Sequence, residues 1–349
     1  MKTLSKITAA FLSLAMVVSM AACSSSGTNE PSSVDSTETQ QIKTEINVGA
    51  LYGPTGVSMA KLATEKATFS NAYSDGSNEY INTYKTTYAN EPTEIVGMLS
   101  SKDLDVACVP TNLAAKLYKV TNGNIRVAAV STLGVLYMID TSGTVKSVAD
   151  LAGKTLEAPS SVQGSNPEYI INYLIAKNNI TDAKVSYQYS ADELAAKIVS
   201  GDISTIMLPE PKCTAVKNQL TKAGIQFTVT DLQAEWGKVS DTEVAQGVVV
   251  VRADWLEKNE GAFKTFLNDF TASSDAAVND LDNTVAQVVE LGVIANEALA
   301  KQAIPNCNIV CRTGEEMKSA VSAFIQVLFD ADPKSIGGAI PDDAFYYIG

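Results

Sequence analysis

Two stretches of this chain align on each other without a gap. Leu99 to Ala115 reads LSSKDLDVACVPTNLAA, and Ile198 to Thr214 reads IVSGDISTIMLPEPKCT. Ser101 falls on Ser200, Asp103 on Asp202, Leu104 on Ile203 and Pro110 on Pro209. Each copy predicts the end of a helix, a tight turn, a buried strand and a proline at the strand end, where the missing N–H stops the ladder. Upstream, each copy is preceded by a strand, a loop and a helix start. The first set runs from Ile46 through Tyr52-Gly53-Pro54-Thr55-Gly56 to Leu62, the second from Lys154 through Pro159–Pro167 to Lys177. Ser165 with Glu168, or Asn166 before Pro167, is expected to cap the second helix, and Thr111 or Asn112 the helix after Pro110. The chain therefore contains two α/β units of one plan, too few and too long for a solenoid.

What surrounds the units sets the rest of the architecture. Ile125–Thr132 and Gly134–Asp140 are β-rich, as are a segment near Gln226–Leu232 and the very apolar Gln246–Val251. From Asp254 onward the pattern turns helical, with few strands. We expect an α/β fold of two lobes, each a mixed sheet flanked by helices. Lobe I takes 44–132 and 248–349, lobe II takes 133–247, and the helical C-terminal third packs on lobe I. Two crossover connections, near Ser131–Leu136 and Gln246–Val249, allow a hinge and a cleft.

The N-terminus reads as an export signal. Lys2 and Lys6 precede the apolar run Ile7–Met20, and Ala21-Ala22 precede Cys23, so 1–22 is expected to be a signal peptide and Cys23 its lipidated product. Residues 23–43 are mostly Ser, Thr, Glu and Gln and are expected to be a disordered tether. The roughly 300 residues that follow can bury a large core. A net charge of −13 excludes a nucleic-acid partner and a basic membrane patch, so attachment would rest on the lipid. The chain contains no histidine. Acid–base catalysis near neutral pH and common metal sites lose their usual residue, and neither a metal nor a cofactor is expected. Cys307 and Cys311 lack the partners of a zinc site, and they form a disulfide only if the chain turns between them. Cys108 is expected to be a core thiol.

The lipobox, Gly53-Pro54-Thr55-Gly56, the Asp105–Pro110 strand, Asp150-Leu-Ala-Gly-Lys154 and Leu208-Pro-Glu-Pro211 together resemble substrate-binding lipoproteins of ABC importers. Within these, the chain is most similar to the nitrate/sulfonate/taurine and thiamin-pyrimidine-precursor group. The resemblance implies a periplasmic-binding-protein fold whose two lobes close on one small molecule, delivered as a monomer to a permease driven by an ATPase. One branch of that superfamily makes the thiamin pyrimidine by consuming an active-site histidine, and this chain has none to consume.

If the lobes face each other, the ligand meets loops at strand carboxyl ends. From lobe I these supply Tyr52, Gly53, Pro54, Thr55, Thr111 and Asn112; from lobe II, Ser160, Ser161, Gln163, Gly164 and Glu210. Thr111 and Asn112 serve equally as ligand groups or helix caps. Glu210, between two prolines, is rigidly aimed and needs a cationic or N–H-rich partner if buried. Tyr52, Tyr137 and Trp236 either stack on a planar ligand or pack in the core. These loops carry no Arg or Lys, so a heterocycle, zwitterion or sulfonate-like solute fits better than a simple inorganic anion. Two other classes remain open: a sensor or surface binding lipoprotein, and an exported enzyme, against which stands the absence of a Gly-x-Ser-x-Gly elbow.

Overall fold

The computed structural model describes residues 39–65 and 72–349. The signal peptide, Cys23 and the tether up to 38 lie outside the described residues. In chain order, the first unit comprises β1 (Gln40–Leu51), the short α1 (Pro54–Ser58) and α2 (Ala60–Glu65), β2 (Tyr73–Ser74), β3 (Asn78–Ala89), α3 (Pro92–Ser101), β4 (Val106–Pro110), α4 (Thr111–Val120) and β5 (Ile125–Thr132). The second follows as β6 (Leu136–Asp140), β7 (Thr155–Pro159), α5 (Asn166–Lys177), β8 (Lys184–Tyr189), α6 (Ala191–Ser200), β9 (Thr205–Pro209), α7 (Lys212–Lys222), β10 (Thr228–Asp231) and α8 (Leu232–Trp236). The chain then returns through β11 (Gly247–Arg252) to α9 (Ala253–Asn279), α10 (Leu281–Glu290), α11 (Glu297–Ala303), β12 (Ile309–Thr313) and α12 (Gly314–Ala331).

These strands form two sheets of the same plan. The seven-stranded sheet has the order β12-β5-β11-β4-β1-β3-β2, and the five-stranded sheet has the order β10-β6-β9-β7-β8. In the first, β4, β1 and β3 are parallel, while β11 is antiparallel to both β4 and β5. In the second, β9, β7 and β8 are parallel, while β6 is antiparallel to both β9 and β10. In each sheet, therefore, the antiparallel central strand is the one that arrives directly from the other unit. The links 133–135 and 237–246 are the only two places among the described residues where the backbone passes between sheets.

Burial of both faces explains why the central strands are continuously apolar instead of alternating. Residues on one strand divide between two clusters with period two. In β11, Val248 and Val250 pack on one side and Val249 and Val251 on the other; in β6, Leu136 and Met138 separate likewise from Tyr137 and Ile139. One cluster is continuous from the first sheet to the second, joining Val109, Val130 and Val248 to Met138, Leu156 and Met207. Phe324 and Leu328 of α12 belong to it. The C-terminal helices thus pack on the first sheet, with Phe263, Phe266 and Phe270 of α9 filling its other face, and α12 also reaches the second unit, where Phe324 meets Trp236 edge-on.

Three expectations change. β1 begins at Gln40, paired with Asn78, so residues 40–43 belong to a strand and not to the expected tether. The long strand β3 adds a sheet position that the hydrophobic pattern did not announce, because of its residues only Asn82, Tyr84 and Ala89 are buried. Cys307 and Cys311 are both free thiols. Cys307 is buried beside α10 and α11, whereas Cys311 lies on β12 next to the Thr271 hydroxyl at 3.2 Å, so the strand carries the two away from each other.

Candidate functional site

The candidate site is the polar seam where the two crossovers meet the ends of β4 and β9. Its backbone frame is tight. Gln246 N–H donates to the Thr132 carbonyl at 3.1 Å, Val135 N–H to the Gln246 side-chain oxygen at 3.2 Å, and Glu210 N–H to the Val135 carbonyl at 3.1 Å. The Gln246 carbonyl is a junction: it accepts from Thr111 N–H at the start of α4 (3.1 Å) and from Asn166 Nδ2 at the start of α5 (3.2 Å). The first residues of one helix from each unit therefore converge on one peptide group. Gly247 follows, and a Cβ there would lie 2.3 Å from Thr132 Oγ1, 3.0 Å from Ser131 Oγ and 3.2 Å from the Thr55 methyl. Only the absence of a side chain lets these three hydroxyl residues crowd β11.

The predicted residues divide by burial. Tyr52 is 41% exposed and stacks one face on Tyr88 at 5.7 Å, leaving the other face to solvent. Gly53 is buried and begins α1 at a φ of 100°, Pro54 is half-buried, and the Thr55 hydroxyl donates back to the Leu51 carbonyl at 3.0 Å. Ser160 and Ser161 are exposed on a single helical turn after β7. Gln163 and Gly164 are exposed as well, but they border a groove of about 790 Å³ between α5 and α12, away from the seam.

Four others are buried and already engaged. The Thr111 hydroxyl donates to the Ala245 carbonyl, so neither it nor the neighbouring buried Asn112 caps α4, which starts without a side-chain cap. Glu210 is 2% exposed, and its carboxylate accepts from Thr214 N–H (3.2 Å) and the Thr214 hydroxyl (2.9 Å). The partners that its burial demands are thus the N–H and hydroxyl of Thr214 in the first turn of its own helix α7. Burial holds this carboxyl above its ordinary range, and the Thr214 hydrogen bonds only partly offset that. Tyr137 is 7% exposed, and its hydroxyl donates to the Asn306 carbonyl at 2.9 Å; burial raises its pKa.

Trp236 is completely buried, stacked on Tyr173 at 4.3 Å, with its indole N–H donating to the Thr242 carbonyl at 2.9 Å. Both its faces and its donor are engaged within the core, which removes it from any stacking role. The cap of α5 also differs from expectation. The Ser165 hydroxyl turns back to the Val162 carbonyl, Glu168 accepts from Gly164 N–H, and Asn166 reaches across the seam instead of capping its own helix.

Sequence reasoning missed the residues that are buried at the seam with polar atoms lacking a partner. Ser131 Oγ, fully buried, and Asn166 Oδ1, in a residue 1% exposed, make no hydrogen bond. Buried polar atoms in native proteins are rarely left so, and each calls for a partner. Among the described residues no group of three or more His, Cys, Asp or Glu side chains could hold a metal ion.

Comparison with known proteins places this geometry. Residues 125–284 match the NMT1/THI5 like family. No curated protein matches the chain. Among solved structures, an ABC transporter protein from Parabacteroides distasonis is similar at a TM-score of 0.70 and 24% identity, over 87% of this chain and 99% of that one. The periplasmic aliphatic sulphonate binding protein of Escherichia coli is similar at 0.62 and 12% identity, over 85% and 92% of the two chains. The periplasmic nitrate-binding protein of Synechocystis PCC 6803 gives 0.54 and 12% identity, over 84% of each. The chain has the two-sheet fold of these periplasmic binding proteins, and the part of it from the last strand of the first unit into α10 matches the NMT1/THI5 like family.

Proposed function

We propose that the protein is the extracytoplasmic solute-binding component of an ABC importer, taking one small polar organic molecule between its two units and passing it to a permease. The observation that carries this reading is the pair of equivalent sheets, each holding one strand received from the other, with a polar seam at the two links. Such a frame lets two bodies rotate about short connections while strand carboxyl ends face each other. The moving bodies are the two expected lobes with their edges adjusted to the strands: lobe I, 40–132 with 247–349, and lobe II, 133–246. Thr55, Ser131, Thr132, Asn166 and Gln246 form the floor of the site, with Tyr52, Ser160 and Ser161 at its mouth. The self-capped Glu210 is structural in this reading. Cleavage before Cys23 and acylation of that residue would tether the protein to the membrane outside the cytoplasm, and labelling of Cys23 with a fatty-acid analogue tests that step.

The function is tested by denaturing purified protein and identifying released solute by mass spectrometry, beside a thermal-shift panel of pyrimidines, amino acids, taurine, other sulfonates and nitrate. A binding protein shows saturable stabilisation and returns its solute unchanged. Turnover of a panel member, or neither released solute nor any shift, would overturn the reading.

A further inference from the structure

We propose that the solute held at this seam is a neutral molecule with an N–H donor, such as a lactam, amide or amino-substituted heterocycle, received by Asn166 Oδ1 and Ser131 Oγ. The inference rests on the binding reading above and assigns the chemistry of its ligand. The orientation of the Asn166 amide is fixed by chemistry: a backbone carbonyl can only accept, so the group facing Gln246 O at 3.2 Å must be the NH2. The other end, Oδ1, is then an acceptor without a partner in a residue that is 99% buried, since its exposure is 1%. Ser131 Oγ, likewise unpartnered, can donate or accept, and it lies beside Gly247, the residue next to Gln246.

Three ligand chemistries compete for this pair. An oxyanion would set its lone pairs against those of Asn166 Oδ1 and leave that acceptor buried and unsatisfied. The positive ends of α4 and α5 favour an anion but do nothing for that acceptor. The foremost N–H of α4, on Thr111, is moreover already given to Gln246 O. An ammonium would satisfy Oδ1 but face both positive helix ends, and the Glu210 carboxylate at the end of β9 is already engaged by Thr214. A neutral N–H satisfies the acceptor without either conflict, while Ser131 donates to the carbonyl or ring nitrogen that usually adjoins such a group.

The test uses matched pairs that differ only in the N–H: uracil against 1,3-dimethyluracil and 2-pyrrolidone against N-methyl-2-pyrrolidone, with nitrate, sulfate and ethanesulfonate as oxyanion probes and glycine and taurine as ammonium probes. Identification of solute released from the purified protein accompanies the titrations. The expected result is stabilisation by a neutral N–H compound, or its recovery as the released solute, with at least about ten-fold weaker binding of its N-methylated partner. In Asn166→Ala that preference shrinks toward equality, and in Ser131→Ala, which leaves the Asn166–Gln246 bond in place, binding weakens about ten-fold. If Asn166→Ala does not fold, the wild-type contrast and Ser131→Ala decide. Binding confined to oxyanions or ammonium compounds, or equal binding of the methylated partners, overturns this inference and leaves the binding-protein reading standing. No released solute and no binding at all overturns that reading itself, and this one with it.

Discussion

The two copies of the helix–turn–strand unit share the backbone bond that closes the turn and diverge at both ends of the strand. Helix α3 ends at Lys102 with φ 69°, and α6 ends at the equivalent Gly201 with φ 83°. Asp103 N–H then reaches the Met98 carbonyl at 2.9 Å, and Asp202 N–H the Lys197 carbonyl at 3.0 Å. At the strand entrance, however, Asp105 is buried and forms an ion pair with Arg252 at 2.9 Å, while Ser204, its counterpart, is exposed. At the exit both backbone N–H groups go to a link between the units, that of Thr111 to Gln246 O and that of Glu210 to Val135 O, but the Thr111 hydroxyl joins the link at Ala245 O whereas Glu210 turns its carboxylate onto its own helix. One backbone plan thus serves two purposes. The side chains of the first copy are riveted to the chain that returns from the second unit, and the Glu210 side chain is satisfied within its own helix.

Four substitutions probe that asymmetry. Asp105→Ala strands Arg252 in the interior and takes an acceptor from Asn47, so it should cost about 3–5 kcal/mol in urea unfolding. A loss below about 1 kcal/mol would remove the rivet from the comparison. Glu210→Ala uncaps α7 and should cost about 1–2 kcal/mol, while solute affinity changes less than about two-fold. A collapse of affinity with intact folding would return Glu210 to the binding site. Gly201→Ala meets open space but retains the left-handed backbone, so it should cost about 1 kcal/mol, a penalty that Lys102 already carries in the other copy. Ser204→Ala should stay within about 0.5 kcal/mol by the same measurement.

The same carboxylate gives a pH signature. Because burial raises the Glu210 pKa above its unfolded value of 4.5, its contribution to stability is fully present below 4.5 and is lost as pH rises through the higher folded value. Wild type should therefore gain on Glu210→Gln as pH falls from neutral toward 4.5 in parallel unfolding curves. Asp140 runs the other way. Burial raises its pKa, but hydrogen bonds from Thr205, Ser142 and the amides of Val145 and Thr144 outweigh it, so its stabilisation is present above the unfolded value of 3.8 and is lost as pH falls through the lowered folded pKa.

Much of the fold was legible because it is local. The turn at Tyr52–Gly56, the breaks at Pro110 and Pro209, and the β-rich segments on either side of Leu133–Gly134 announce themselves by breakers and period. Strand β3 escaped because its signal lies in alternating tyrosine and β-branched residues (Tyr80, Tyr84, Thr86, Tyr88), with little burial behind it. The site was less legible. The local pattern makes Asn166 a helix cap and leaves Trp236 between a stacking face and core packing, and nothing near Asn306 in the sequence suggests that its carbonyl would meet Tyr137.

By itself the sequence determined two α/β units of one plan, their strand ends and the first link between them, since proline, glycine and hydrophobic period act within a few residues; the second link, expected near Gln246–Val249, is 237–246, because Gly247–Arg252 form β11. Only the tertiary structure decided which polar groups satisfy one another. Hydrogen bonds between Asn166 and Gln246, or Tyr137 and Asn306, join residues 80 and 169 positions apart. Whether a buried serine or amide is left without a partner depends on that whole arrangement, which no local pattern encodes.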